Sequence, residues 1–371
     1  MSLKNYLPVL GFILLASCLQ LLLSSIGLNF LLGPLTIASY YGVVLIGLSL
    51  LMGFTGQVSM GQAGFFGIGS YVQAVLVTLD LRPWRDSGFI GLLDKLGLLL
   101  TRKDIYGQEV LNLSPWVALA LALGITALIA FILGLPVLRL KGHYLAMATL
   151  GFGIIIHSLV YSVKLFGLSD GISGVPEFSL IPGLAISSRL TERVSNFYLA
   201  IAVLIVVILL AINLVNSRIG RALRALHGNE LAANSVGINT SRYKLYTFVI
   251  SALLAALGGA LLVHFNGMIG PSSIDVMKSV RLVALVAAGG MDSIWGVVYM
   301  GFILNFISLR QVFGSFDDIF FATILIILML FLPHGLIRAS YFVKLIQPLK
   351  NKLKIIKKDL RARLRLKQGQ D

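Results

Sequence analysis

Charge is scarce in this chain, and within the interiors of its long apolar runs acid is missing altogether. Only 12% of the 371 residues are Asp, Glu, Lys or Arg, while 57% are hydrophobic. An average soluble domain carries about 25% charge, so the composition excludes a soluble protein. The apolar runs are roughly 20 residues long, which excludes a barrel built from ~10-residue alternating segments. Cysteine occurs once, as Cys18, which excludes an internal disulfide and a cysteine metal cluster. The run holding it, Pro8 to Phe30, is too long for a signal-peptide core and lacks an Ala-x-Ala pattern. It reads as a retained span.

Further absences narrow the function. No G-x-x-x-x-G-K-[ST] loop is present, so ATP is not bound in the P-loop manner. The five histidines, His143, His157, His227, His264 and His334, lack metal-ligand spacing, and no H-E-x-x-H occurs. No cofactor, metal or catalytic residue is expected, and a membrane enzyme finds no acid–base constellation. Proton- and sodium-coupled transporters use intramembrane carboxylates, each costing about 2.5–3.5 kcal/mol to insert. With none here, the energy source is expected on another polypeptide. His157 is read as a satisfied helix histidine before a buried pathway residue. Lys164, Lys278 and Arg281 lie near span ends and can snorkel, Arg281 being the deepest.

What the chain does have is a net charge of +15, unevenly spread. Residues 338–371 hold eleven bases against two acids, and residues 217–244 hold five bases against Glu230. The 80–114 loop has five of each sign, and 169–195 has two bases and three acids. The positive-inside bias puts 217–244 and the C-terminus in the cytoplasm and the other two loops outside. Apolar runs near 8–30, 34–53, 57–79, 115–138, 144–167, 196–216, 245–265, 278–290, 294–310 and 317–337 give about ten transmembrane helices. Both termini are then cytoplasmic. The expected fold is an all-α integral membrane protein, with the pair around 278–310 short, broken or re-entrant. The division is a permease domain over 1–338 and a basic tail over 339–371.

One span is unusual. Residues 53–71, GFTGQVSMGQAGFFGIGSY, carry six glycines together with Thr55, Gln57, Ser59 and Gln62. A polar, glycine-rich break at membrane depth is tolerated only where protein or a water-filled cavity covers it. Gly56, Gln57, Ser59, Gln62, Phe65 and Phe66 are therefore the candidate pathway residues. Ser59, Ala63, Gly67, Ser70 and Ala74 follow at steps of 4, 4, 3 and 4, a small-residue stripe on one helix face, which close packing alone would also explain. GGMDSIWG at 289–296 repeats the glycine-polar pairing.

The basic loop has helix signals. Asn229 can cap a helix beginning at Glu230, and Gly237 can end it in a left-handed conformation. Two turns do not hold in water alone, so a partner is expected; an ordinary basic loop kept for topology is the other reading. In the tail, Leu349, Leu353, Ile356, Leu360 and Leu364 recur at helical steps among lysines and arginines. This is a basic amphipathic helix suited to anionic lipid rather than to nucleic acid.

Six blocks in order resemble the permease subunits of bacterial ATP-binding-cassette importers for branched-chain amino acids, of the LivM type. They are the 53–71 segment, LRLKGHYLAMATLGFGIII at 138–156, GLSDGISGVP at 167–176, the 217–245 loop, AAGGMDSIWG at 287–296 and FLPHGLIR at 331–338. The resemblance implies a multi-pass inner-membrane subunit and no enzyme activity of its own. It implies two cytoplasmic ATPases, a second related permease and an extracytoplasmic binding protein as partners. Glu230, Ala232, Ala233 and Gly237 match the family's coupling segment, flanked by Arg221 and Arg224. Gln62, His143, Leu168-Ser169, Lys278 and Arg281 depart from the family pattern. Urea, short amides or other small polar solutes are alternative cargoes, and an ion-coupled secondary transporter is the alternative from another class.

Overall fold

A computed structural model describes residues 7–84, 98–103, 109–140, 142–181 and 184–309, with positions 319, 322, 323 and 326. Eleven α-helices occur among them: α1 (Leu7–Ser25), α2 (Leu32–Thr55), α3 (Gln62–Thr78), α4 (Pro115–Val137), α5 (His143–Ser162), α6 (Arg193–Asn216), α7 (Arg218–Gly228), α8 (Glu230–Ser235), α9 (Thr240–Asn266), α10 (Val276–Gly289) and α11 (Ile294–Leu309). Six of them, α1, α2, α4, α5, α6 and α9, are long and apolar enough to cross a membrane. Apart from those four positions, the expected span near 317–337, the FLPHGLIR block and the basic tail lie outside the described residues.

The expectation of an all-helical chain is corrected in detail. Three two-stranded antiparallel sheets accompany the helices: β1 (Leu99–Lys103) with β2 (Glu109–Leu113), β3 (Ile172–Ser173) with β6 (Met268–Ile269), and β4 (Phe178–Ile181) with β5 (Leu184–Ile186). They gather at one end of the bundle, where the Arg102 guanidinium donates to the Gly174 carbonyl. There Asp80 accepts from Arg82 at 2.9 Å, and these hydrogen bonds hold its carboxyl below the usual carboxylate range. At the opposite end lie α7 and α8.

α2 and α9 form the centre. Of α2's span 89% is buried and of α9's 67%, against 22% for α1 and 28% each for α4 and α5. A helix apolar all round is expected to sit either inside the bundle or against lipid, and here both cases occur. Close backbone approach explains the central glycines. A methyl at Gly69 would fall inside the backbone of Ala256, and one at Gly259 inside the Phe66 carbonyl. α3 therefore lies on α9 as a small-residue seam, the helix contact that membranes favour.

Contacts set the depths. α3 runs parallel to α9, since Gln62 meets Ser251, Gly69 meets Ala256 and Gln73 meets His264. α2 runs antiparallel to both, with Gly47 against Ser251 and Tyr40 against Gly258. Gly47 precedes the end of α2 at Thr55 by eight residues, or about 12 Å. The chain thus leaves α2 at the α7 end and climbs back before α3 begins. α3, with 17 residues, starts near mid-depth.

α10 mirrors it. With 14 residues it extends about 21 Å, short of the ~30 Å hydrocarbon core. Ser279 Oγ near its start accepts from the Ala63 N–H at 3.0 Å, so the two helix N-termini meet at the same level. Its other end turns through 290–293 against α2, where Ser49 donates to the Met291 carbonyl at 2.9 Å. The two glycine-rich breaks are therefore neighbours in space.

Candidate functional site

The break after α2 is built by Gly56, whose φ of +70° is a left-handed cap that a side chain would strain. Residues 57–61 are non-helical, and α3 starts at Gln62. This corrects the small-residue stripe. Ser59 lies before α3 and shares no helix face with Ala63, Gly67, Ser70 and Ala74. The left-handed turn at Gly56 ends α2 and shifts the helical register that the spacing assumed.

Buried donors hold the break in place. Thr149 of α5 accepts from the Met60 N–H at 2.9 Å, and Ser59 Oγ accepts from the Gly61 N–H at 3.4 Å. Gln57, Ser59, Gln62, Phe65 and Phe66 are all buried, and Gly56 alone of the six candidates is exposed. Gln62 Nε2 donates to Ser251 Oγ at 2.8 Å. Its Oε1, like that of Gln57, is buried without a partner. Phe65 packs edge-on against Phe248 and tilted against Phe152, while Phe66 stacks on Tyr41 at 5.7 Å. The structure thus gathers five of the six inside the bundle and two of them carry unused acceptors.

At the far end, Asn229 Oδ1 accepts from the Ala232 N–H at 3.1 Å and caps α8. Gly237 has φ +84° and its N–H donates to the Asn234 carbonyl at 3.0 Å. The expected two-turn helix with its two terminal signals is present. Sequence reading missed α7, whose residues looked like a plain basic stretch; the buried Ala222, Leu223 and Leu226 at helical steps were the available signal. Arg221 and Arg224 point outward on it.

The two short helices are fixed to the core. α7 packs on α2 and α6, and its His227 stands 3.1 Å from where a Gly56 methyl would lie. α8 is tied to α9 by Lys244 Nζ on Glu230 Oε1 at 2.6 Å, with Thr240 donating to Asn234 Oδ1 at 3.0 Å. Ala233 is buried, whereas Ala232 and Gly237 are exposed. Leu231 and Val236, 74% and 75% exposed, are the large apolar side chains presented outward.

The structure also places two other side chains that the sequence singled out. His157 is half-buried with its ring on Tyr161, and among the described residues the fully buried histidine is His264, which spacing gave no reason to choose. Arg281 is half-buried and donates to Ser308 Oγ.

A family model described as the branched-chain amino acid transport system permease component matches residues 30–332. The chain belongs to that permease family. Its relatives include the high-affinity branched-chain amino acid transport system permease protein LivM of Salmonella typhimurium, 31% identical over 81% of this chain and 68% of that protein. The corresponding permease protein LivH of Escherichia coli is 26% identical over 81% and 92%, and BraD of Pseudomonas aeruginosa is 26% identical over 83% and 94%. No solved structure matches significantly. Family membership and six membrane-length helices together make this permease a multi-pass membrane protein.

Proposed function

We propose that this chain is the translocation-pathway subunit of an ATP-driven importer for branched-chain or related amino acids in the bacterial cytoplasmic membrane. Two cytoplasmic ATPases, a second permease and an extracytoplasmic binding protein complete it, and ATP is hydrolysed on the separate subunits. The observation that carries this reading is α8, a capped helix too short to stand alone yet tied to the central helix α9 and, through α7, to α2. Ten spans, cytoplasmic termini and a basic tail lying on anionic lipid complete the arrangement, with 1–338 as the permease domain and 339–371 as the tail.

The geometry supports a lever. Closure of the ATPases presses on Leu231 and Val236 of α8. The load enters α9 through the Lys244–Glu230 pair and reaches α2 through α7, beside Gly56. Arg221, Arg224, Glu230, Ala232, Ala233 and Gly237 form this coupling element. The half-length helices α3 and α10 then repack against α2 and α9, a change between two packed states. Gly56, Gln57, Ser59, Gln62, Phe65 and Phe66 become the pathway wall in one of them.

The unused oxygens of Gln57 and Gln62 support that assignment. A buried acceptor without a donor costs about 1–3 kcal/mol, which a passing ammonium group relieves. Gln57→Leu and Gln62→Leu should each raise the uptake KM about five- to thirtyfold, the range of 1–2 kcal/mol, while the complex still assembles. An unchanged KM in both would return these residues to packing. The reading itself is tested by purifying the tagged chain from its native membrane in mild detergent. P-loop ATPases and a second permease are expected with it, and a chain that comes through alone but functional would refute it.

A further inference from the structure

The outer ends of α3 and α9 are covered by a segment that reaches them through few main-chain hydrogen bonds. Residues 167–178 join a 3-10 turn at Lys164–Phe166 to β4. Between them, β3 pairs with β6 at two positions only, Ile172 with Ile269 and Ser173 with Met268. The Val175 N–H donates to the Gly267 carbonyl at 3.0 Å. Leu168 sits at φ +53°, the one left-handed residue other than glycine among the described residues. A leucine there costs roughly 1–2 kcal/mol, which loosens the start of the segment.

Beneath it lies a buried polar node. His264 and Gln73 are both fully buried. Gln73 Nε2 donates to the Pro115 carbonyl at 3.1 Å and lies 2.8 Å from His264 Nε2. His264 Nδ1 lies 2.7 Å from the Pro176 carbonyl. A carbonyl needs a donor, so the proton is on Nδ1; Nε2 is then the acceptor that the Gln73 amide requires. Both ring nitrogens are thereby used, one on the core and one on the covering segment. The Phe178 ring packs on the imidazole at 5.1 Å and on Trp116 at 5.0 Å. Four elements meet at this node: α3 and the covering segment on His264 of α9, and the start of α4 on Gln73 and Phe178.

We propose that segment 167–178 is the outer gate of the pathway and that His264 is the residue that positions it. The inference rests on the permease reading above. A pathway that opens alternately must uncover its outer end, and this segment meets the end of α9 through few main-chain bonds, its other attachments being Arg102 on the Gly174 carbonyl, the Arg189–Glu177 pair and the buried Val175 and Phe178 side chains. His264 senses whether α3 and α9 keep their seam, because Gln73 can donate to it only while the two helices stay in register. Repacking of α3 withdraws that donor and loosens the segment at Pro176.

The test uses the pairing of β3 with β6. Directly opposed residues of an antiparallel pair have Cα atoms about 4.5–5.5 Å apart, within the ~4.4–6.8 Å that a disulfide spans. Ser173 and Met268 are both exposed, and Cys18 is the chain's own single thiol. Ser173→Cys with Met268→Cys, in a Cys18→Ser background, is assayed as the full complex in proteoliposomes. Oxidation should lower uptake at least tenfold and reductant should restore it. Equal uptake in both states overturns the gate, and so does failure of the two thiols to join. Competence of the Cys18→Ser parent is read separately: a parent that assembles with no ATPase defeats the permease reading, not the gate.

The positioning role has its own readout. His264→Phe keeps the ring but loses both hydrogen bonds, and His264→Asn keeps a donor for Pro176. One or two lost bonds shift the closed-to-open ratio about five- to thirtyfold. The Phe variant should hydrolyse ATP without uptake by that factor more than wild type, with the Asn variant between them. Unaltered coupling in the Phe variant would make His264 a packing residue only.

Discussion

Gly53→Ala is expected to remove the folded permease from the membrane. Gly53 lies in the last turn of α2, and a methyl there would sit inside the Met291 carbonyl. The obstacle is backbone, so no side-chain rotation relieves it. Overpacking in a well-filled core costs about 1–3 kcal/mol, and a clash with a carbonyl belongs at the upper end. Moving Met291 also breaks its hydrogen bond from Ser49. The breaks of α2–α3 and α10–α11 then separate. Thermal unfolding of the detergent-solubilised chain should show a clear loss, with little protein recovered from membranes. Gly124→Ala is the matched control, because Gly124 is inside α4 with nothing within 4 Å of an added methyl. Alanine is favoured over glycine in a helix by roughly 1 kcal/mol, so this variant should be neutral or slightly more stable. Equal behaviour of the two variants would mean that the breaks do not touch.

Gly237→Pro should leave the chain inserted and abolish transport. Proline fixes φ near −65°, whereas Gly237 holds +84°, and it removes the N–H donated to Asn234. The turn between α8 and α9 cannot then form. Its loss withdraws Glu230 from Lys244, the bond that ties α8 to a central helix. The spans themselves are untouched, so membrane level stays at wild type. Uptake should fall tenfold or more, since about 1.4 kcal/mol of lost docking is already a factor of ~10. Gly237→Asn tolerates the left-handed region and should retain most activity. Full uptake by the proline variant would take α8 out of the coupling mechanism.

Much of this was legible in the sequence because it depended on local rules. Membrane class followed from composition, and the helix at Glu230 followed from Asn229 and Gly237, whose roles are set within a few residues. The break at Gly56 was legible too, since glycine and glutamine at span depth have few other uses. Its register was not. Periodicity carried the third helix back through Ser59, because steps of four cannot show that Gly56 turns left-handed. α7 was hidden by arginines, which obscured the buried Leu223 and Leu226.

What no pattern contained was the pairing of distant elements. His264 was one of five unremarkable histidines until α3 and the outer segment closed around it. Likewise the seam of Gly69 on Ala256 depends on two helices 187 residues apart in sequence coming into parallel register. The absent carboxylates belong to the other kind of information. α2, α3, α9 and α10 carry no Asp or Glu between their first and last residues, as the sequence alone states.

The central claim is that solute movement through this chain is driven by ATP hydrolysed elsewhere, and the direct measurement is leucine uptake into proteoliposomes. These contain the tagged chain with the proteins that co-purify with it, and receive labelled leucine and its binding protein. Uptake is expected only with ATP at the ATPase side, and neither a proton nor a sodium gradient should replace it. Uptake that follows an ion gradient without ATP would contradict the account and make the chain a self-contained transporter.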